Sequence, residues 1–164
     1  MLVILIALAV ALAVVLVLRR RKALPAPRVR VGEIPRVLQL VSETHHDGTF
    51  AVFLFGERGQ SPASADALNV QFSIENGQVG LDWVLLAQPN LAARDRVAAF
   101  FAQRRRPLVE RTENGVSYLR VETGDLAGLC RDLLRSVFGV TDQQDMVLIP
   151  EGFDWTSTDS SRGV

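Results

Sequence analysis

The side chains that could do chemistry are few and scattered along the chain. His45, His46 and Asp47 are adjacent, and imidazole and carboxylate groups are common metal ligands. Adjacent histidines at a helix end diverge, however, and the chain has no third histidine to complete a site. We therefore interpret these three residues as solvated side chains at a turn, and we predict no metal ion.

Cys130 is the only cysteine, so no intramolecular disulfide can form and the composition does not require an oxidising compartment. It lies on the apolar stripe of the last predicted helix, where a buried thiol without a basic partner is inert. No serine lies in a nucleophile elbow, and the glycines of residues 56–60 match no phosphate-binding fingerprint. We therefore predict no catalytic residue, no cofactor and no enzymatic activity.

The charged side chains of the predicted strands and helices are interpreted as surface features. Glu75, Asp82 and Glu110 lie on or near strands, and the register of the first hairpin places Glu75 and Asp82 on a polar face that we expect to be solvated. A basic group on the second predicted helix is explained by solubility and by the helix dipole, with contact to anionic lipid as the alternative. This group consists of Arg94, Arg96 and Arg104–Arg106.

The zero net charge of the chain hides an asymmetry between its two ends. Residues 1–32 carry six basic residues and no acid, whereas residues 33–155 carry seventeen acids against eleven arginines. A domain with a net charge of −6 would be repelled by polyphosphate, which argues against a nucleic-acid partner. The basic charge is seventeen arginines and one lysine, a bias typical of bacterial chains from GC-rich genomes.

The N-terminus predicts a membrane anchor. Residues 2–18 are all apolar and would span about 25 Å as a helix. The positive charges follow this run instead of preceding it, which is the reverse of a secretion signal. By the positive-inside rule, the predicted topology is single-pass in the inner (plasma) membrane, with the N-terminus outside and the domain in the cytoplasm. Export of the domain is the alternative. The membrane-edge charges are Arg19, Arg20, Arg21 and Lys22.

Four segments follow from these patterns. Residues 1–18 are the predicted transmembrane anchor, and residues 19–32 are a basic juxtamembrane segment and stalk that contains two prolines. Residues 33–155 form the predicted soluble domain. The polar residues 156–164 are predicted to be a disordered tail.

Turn and cap residues mark the boundaries of the predicted helices and strands in the domain. An apolar face predicts a first helix over 34–45, and residues 49–55 predict a strand that is apolar on both faces. Asn76-Gly77 predicts a tight hairpin that pairs Ile74 with Val79 and Phe72 with Leu81. A second helix is predicted to be capped by Asn90 and stopped by Pro107. A second hairpin is predicted around Asn114-Gly115, and we expect a bulge or a longer loop in it. A last helix is predicted from Asp125 to Gly139. Residues 146–153 are interpreted as a short apolar extension.

The element order is helix, three strands, helix, two strands, helix, which predicts an α+β domain with an antiparallel sheet covered by helices. With its hairpin "VQFSIENGQVGLDW" and closing helix "LCRDLLRSVFGV", this order resembles the type III secretion chaperone-like superfamily and its bacterial sensory-transduction regulator relatives. The resemblance spans about 34–150. It implies a non-enzymatic, protein-binding module that is usually a homodimer, although a hydrophobic anchor departs from the soluble chaperones.

The remaining candidate is a surface. Phe53 and Phe55 lie on the second face of the first predicted strand, and Trp83 lies at a hairpin end, so the three could form a protein interface. The alternative is that the third helix or residues 146–153 cover this face within the chain. We predict a membrane-tethered protein-binding domain, chaperone-like or regulatory, whose protein partner is unknown. The alternative is a small-molecule-sensing or enzymatic domain that uses a cleft between sheet and helices.

Overall fold

The computed structural model describes residues 26–155. The helices are α1 (Ile34–Thr44), α2 (Gln88–Gln103) and α3 (Leu126–Phe138). The strands are β1 (Arg28–Val29), β2 (Phe50–Phe55), β3 (Leu68–Glu75), β4 (Gln78–Val84), β5 (Val109–Glu113), β6 (Val116–Val121) and β7 (Met146–Glu151). The predicted anchor, residues 1–18, and the predicted tail lie outside the described residues. From residue 26 to residue 155, no helix has the length and apolar character needed to cross a bilayer.

All strand pairs are antiparallel, and they form one seven-stranded sheet in the order β1-β7-β2-β3-β4-β6-β5. The α+β class, the antiparallel sheet and its cover of helices are therefore confirmed. Two strands were not predicted. β7 comes from the supposed apolar extension and enters the sheet between β1 and β2, and β1 comes from the supposed stalk.

The domain begins before Glu33, where the sequence placed its boundary. Arg28 and Val29 pair with Val147 and Met146 of β7. The side chains of Val29 and Val31 are buried in the main core. Residues 28–32 are consequently part of the folded domain and not a free stalk.

The helices all pack on one face of the sheet. Each contributes an apolar stripe to a single core: Val37 and Val41 from α1, Val97 and Phe101 from α2, and Leu133 and others from α3. The strands contribute every second side chain to the same core, which follows from the two-residue period of a strand. We call this side of the sheet the helix face, and the opposite side the second face.

The β3–β4 hairpin has the predicted register. Phe72 pairs with Leu81 and Ile74 with Val79. Asn76 and Gly77 both have positive φ, at 52° and 72°, as a two-residue type I′ turn requires. The turn therefore decides which side chains reach the core.

The β5–β6 hairpin corrects a prediction. Glu113 pairs with Val116 across a two-residue turn, and the register continues to Glu110↔Leu119 without the expected bulge. Leu119 faces the core, while Glu110 lies at the sheet edge and reaches Arg94 of α2. Because β5 is an edge strand, its charged side chains remain solvated even when their partners on β6 are buried.

The ends of α3 match the prediction, whereas the start of α2 does not. Asp125 caps α3 by accepting a hydrogen bond from the Gly128 amide at 2.9 Å, and Gly139 ends it in the left-handed conformation. α2 begins at Gln88, so Asn90 lies inside the first turn and is not its cap. The side chain of Asn90 has a different role, described below.

Candidate functional site

Phe53, Phe55 and Trp83 lie in the main core, not on a surface. All three are at most 1% exposed. Trp83 stacks on Phe138 of α3 with ring centroids 5.1 Å apart, and Phe55 meets the same phenylalanine edge-on at 5.5 Å. The prediction that these residues form a protein interface is wrong, because all three are buried within the chain, and Phe138 of the third helix packs on Phe55 and Trp83, as the alternative proposed.

The second face of β2 carries the other half of its side chains. Phe50, Val52 and Ile149 form an apolar cluster there, with Leu54 and Val147 packed against it. Val52 pairs with Ile149, and Leu54 pairs with Val147, so the cluster bridges β2 and β7. No side chain of α1, α2 or α3 belongs to it. We call these five residues the second-face cluster.

A group of charged side chains lies on the same face of the sheet, on β3 to β6 and the residue that follows β6. At its centre, Nη1 of Arg120 is 2.8 Å from Oδ1 of Asp82, and both side chains are 0% exposed. Arg120 also contacts Glu75 at 3.3 Å and Glu122 at 2.7 Å. Arg111 joins the same two glutamates at 2.9 Å and 3.0 Å, and so lies beside Arg120. We call these five residues the charge cluster.

The centre of the charge cluster is fully hydrogen-bonded. Ser73 Oγ donates to Asp82 Oδ2 at 2.5 Å and accepts from Arg120 Nη1 at 2.7 Å. Gln71 donates to the same carboxylate at 3.3 Å, and the carbonyl of Gln78 accepts from Arg120 Nη2 at 2.9 Å. Because the buried guanidinium of Arg120 is surrounded by carboxylates, a hydroxyl and a carbonyl, it has no free fork for a phosphate or carboxylate ligand.

Gly80 makes room for this arrangement. A Cβ at residue 80 would overlap Cζ of Arg120. The absence of a side chain at residue 80 therefore allows the guanidinium of Arg120 to pass over β4 and reach Ser73 of β3.

The charge cluster changes the proton affinities of its members. Burial raises the pKa of the Asp82 carboxyl to about 6, although Arg120 and the hydrogen bond from Ser73 oppose this shift. The hydrogen bond from Arg120 lowers the pKa of Glu122. Burial, with the nearby charge of Glu75, raises the pKa of Tyr118. The face assignment of Asp82 was thus right, but the expectation that it is solvated was wrong.

Sequence reasoning missed Asn90, which fixes α2 to the sheet. Its Nδ2 donates to the carbonyls of Asn69 and Val84, both at 2.8 Å, and its Oδ1 accepts from the Asn69 amide at 3.0 Å. Its backbone carbonyl accepts from Trp83 Nε1 at 3.0 Å. A buried amide with backbone partners on β3 and β4 has a positioning role, which its local sequence does not reveal.

The other predicted candidates have structural roles in the described part of the chain. Asp47 accepts a hydrogen bond from the Gly77 amide at 2.7 Å and fixes the hairpin turn. Cys130 is buried, which raises the pKa of its thiol and makes it inert. Between residues 26 and 155, no group of three or more His, Cys, Asp or Glu side chains could hold a metal ion.

Three of the five arginines in the basic group of α2 have partners within the domain. Arg94 pairs with Glu110 at 2.6 Å, and Arg96 pairs with Glu57 at 2.7 Å. Arg104 lies over the ring of Phe100 at 3.8 Å from its centroid. The membrane-edge charges Arg19, Arg20, Arg21 and Lys22 lie outside the described residues.

The chain matches no protein-family model, no curated protein and no solved structure. The resemblance to the type III secretion chaperone-like superfamily consequently stays a prediction.

Proposed function

We propose that the chain is a membrane-tethered, non-enzymatic protein-binding module, chaperone-like or regulatory, and that its binding surface is the second face of the sheet. The single observation that carries this proposal is the second-face cluster. A phenylalanine and four aliphatic side chains lie together on a sheet face to which none of the helices contributes. Apolar side chains that reach the surface together on a sheet face mark interfaces, and in this cluster the partly exposed members are Leu54 and Val147.

The chemistry of the face indicates the kind of partner. Its β2 and β7 side is apolar, and its β4 and β6 side has three carboxylates against two guanidiniums. A protein segment with an apolar stripe and basic residues beside it would complement both halves. The buried and fully paired guanidinium of Arg120, with the excess of carboxylates around it, makes a phosphorylated or acidic ligand a poor fit.

The location belongs to the same proposal. Residues 2–18 and the basic residues that follow them support a single-pass anchor in the inner membrane, with the domain in the cytoplasm. A reporter fused after Val164 tests this. Cytoplasmic fluorescence is the expected result, and alkaline phosphatase activity would place the domain outside.

Site-specific photocrosslinking in membranes tests the binding surface. A photoreactive phenylalanine at Leu54, at the edge of the second-face cluster, should form an adduct with a protein partner. The matched control is the same side chain at Leu91, an exposed leucine of α2. Equal adducts at both residues, or adducts at Leu91 alone, would contradict the proposed surface.

A further inference from the structure

The chain contains the tripeptide Glu-Asn-Gly twice, and both copies lie at the turn of a hairpin. They are residues 75–77, between β3 and β4, and residues 113–115, between β5 and β6. Asn76 and Asn114 have φ of 52° and 50°, the glycine after each also has positive φ, and both asparagines are exposed. An asparagine followed by glycine is especially prone to deamidation, because glycine has no side chain to hinder attack by its own backbone nitrogen. The same local chemistry therefore occurs at two places in one sheet.

The two turns differ in what holds the attacking nitrogen. The Gly77 amide donates a hydrogen bond to Oδ1 of Asp47 at 2.7 Å. The Gly115 amide, by contrast, donates to no acceptor among residues 26–155. A hydrogen bond to a carboxylate is one of the strong ones, because the acceptor is ionised. The Gly77 nitrogen is consequently held in place, whereas the Gly115 nitrogen is not.

The strands around the two turns also differ. β3 and β4 are inner strands, and the loop before β2 is bonded to β3 close to its turn. There the Gly48 amide donates to the Ile74 carbonyl at 3.1 Å, and the Ile74 amide donates to the Thr49 carbonyl at 3.0 Å. β5 is an edge strand and pairs only with β6. The glycine nitrogen reaches the asparagine Cγ only after rotation about ψ of the asparagine, so the turn must open, and an edge hairpin opens at a lower free energy than an inner one.

We propose that Asn114 is a site of spontaneous deamidation in the folded chain, and that Asp47 protects Asn76 from the same reaction. The backbone nitrogen of Gly115 loses its proton and forms a bond to Cγ of Asn114, which closes a five-membered succinimide. The Cγ–Nδ2 bond breaks, and Nδ2 leaves as ammonia with that proton. Water then adds to one of the two imide carbonyls and opens the ring, which gives aspartate or isoaspartate at residue 114. No electron is transferred, and water is the only co-reactant.

The reaction changes both the charge and the geometry of the hairpin. Either product replaces a neutral amide with a carboxylate beside the exposed Glu113. Isoaspartate also adds a methylene to the backbone, so the turn no longer matches the pairing of Glu113 with Val116. β5 carries Arg111, which pairs with Glu75 and Glu122 of the charge cluster. The modification therefore loosens the edge of the sheet and the outer part of the charge cluster, and it does not depend on the proposed binding function.

Peptide mapping of the full-length chain by mass spectrometry tests the proposal. The chain is incubated in detergent micelles at mildly alkaline pH, in water enriched in heavy oxygen, which marks the carboxylates that form during the incubation. In the folded chain we expect Asn114 to be converted faster than Asn76 by about tenfold or more, the factor that a hydrogen bond to a charged group supplies. In urea the two rates should become nearly equal, because both asparagines lie between a glutamate and a glycine.

An Asp47→Ala variant isolates the protection. It should raise the rate at Asn76 by about tenfold and leave the rate at Asn114 unchanged, so Asn114 reports in the same sample that the variant is folded. The matched control is Glu43→Ala, which removes an exposed carboxylate that bonds to Gln39 instead of the turn. Equal rates at the two asparagines in the folded native chain, or an Asn114 that stays intact while the chain in urea is converted, would overturn the proposal. An unchanged rate at Asn76 in the Asp47→Ala chain would overturn the role of Asp47.

Discussion

Nη1 of Arg120 lies 2.8 Å from Oδ1 of Asp82, and neither side chain has exposed surface. The two residues pair across β4 and β6, and Ser73 bridges them with its hydroxyl. An ion pair buried in this way requires both partners, because a single remaining charge would be uncompensated.

Removal of Arg120 should therefore be severe. In an Arg120→Met variant, Asp82 loses its partner, and we expect the free energy of unfolding to fall by about 3–5 kcal/mol. Urea denaturation measures this loss. The control is Arg135→Met, which breaks an exposed pair with Asp142 and should cost less than about 1 kcal/mol. Equal losses in the two variants would show that the buried pair is not a stabilising element.

The stability should depend on pH through Asp82. Its pKa in the folded chain is about 6, above the ordinary value for an unfolded aspartate, so the folded state binds the additional proton between about pH 4 and pH 6. The contribution of Asp82 to stability is therefore full below about pH 4 and is lost as the pH rises through 6. Subtraction of the profile of an Asp82→Asn variant from that of the native chain isolates this decline. A difference that rises with pH across this window would reverse the sign and contradict the assignment.

Gly80 should not tolerate a side chain. A Gly80→Ala substitution places a methyl group against the guanidinium of Arg120, and we expect a loss of about 1–3 kcal/mol. Gly32→Ala is the matched control, since no heavy atom lies within 4 Å of a Cβ at that residue. Thermal unfolding compares the two variants. A Gly80→Ala chain as stable as the control would mean that Arg120 moves aside at no cost.

Asn90 is a polar residue in the first turn of a surface helix, but we expect its substitution to lower the stability. An Asn90→Ala variant leaves the Asn69 amide and the carbonyls of Asn69 and Val84 without this partner, at about 1–3 kcal/mol for each buried group that stays unsatisfied. Gln88→Ala, at an exposed residue of the same turn, should be nearly neutral. Amide hydrogen exchange at Asn69 provides a local readout, and unchanged protection there would contradict the role.

Local signals explain the parts of the fold that the sequence predicts. A two-residue hairpin turn requires positive φ at two adjacent residues, and Asn76-Gly77 adopts this conformation readily. The turn and the register of β3 with β4 therefore follow from these two residues. Asp125 and Gly139 bound α3 for similar reasons, because a side-chain cap and a left-handed end are both local.

Non-local pairing explains what the sequence does not predict. β2 is apolar on both faces, so its period could not tell which of Phe53 and Val52 faces the helices. β1 is two residues long and exists because β7 lies beside it. The burial of Asp82 depends on Arg120, which is 38 residues away and becomes its neighbour only when β4 pairs with β6. The sequence shows that Asp82 lies on a strand, but its burial can be predicted only when the strand order that places it beside Arg120 is known.

The position of β1 also determines how the domain bears a mechanical load. Any force applied to the N-terminal end of the chain enters at the sheet edge, through the Pro27 carbonyl and two residues paired with β7. The buried side chains of Val29 and Val31 resist it next. Tension on this end would therefore detach β1 before it reaches the central strands, which leaves the β3–β4 hairpin and the charge cluster mechanically isolated from the N-terminal end.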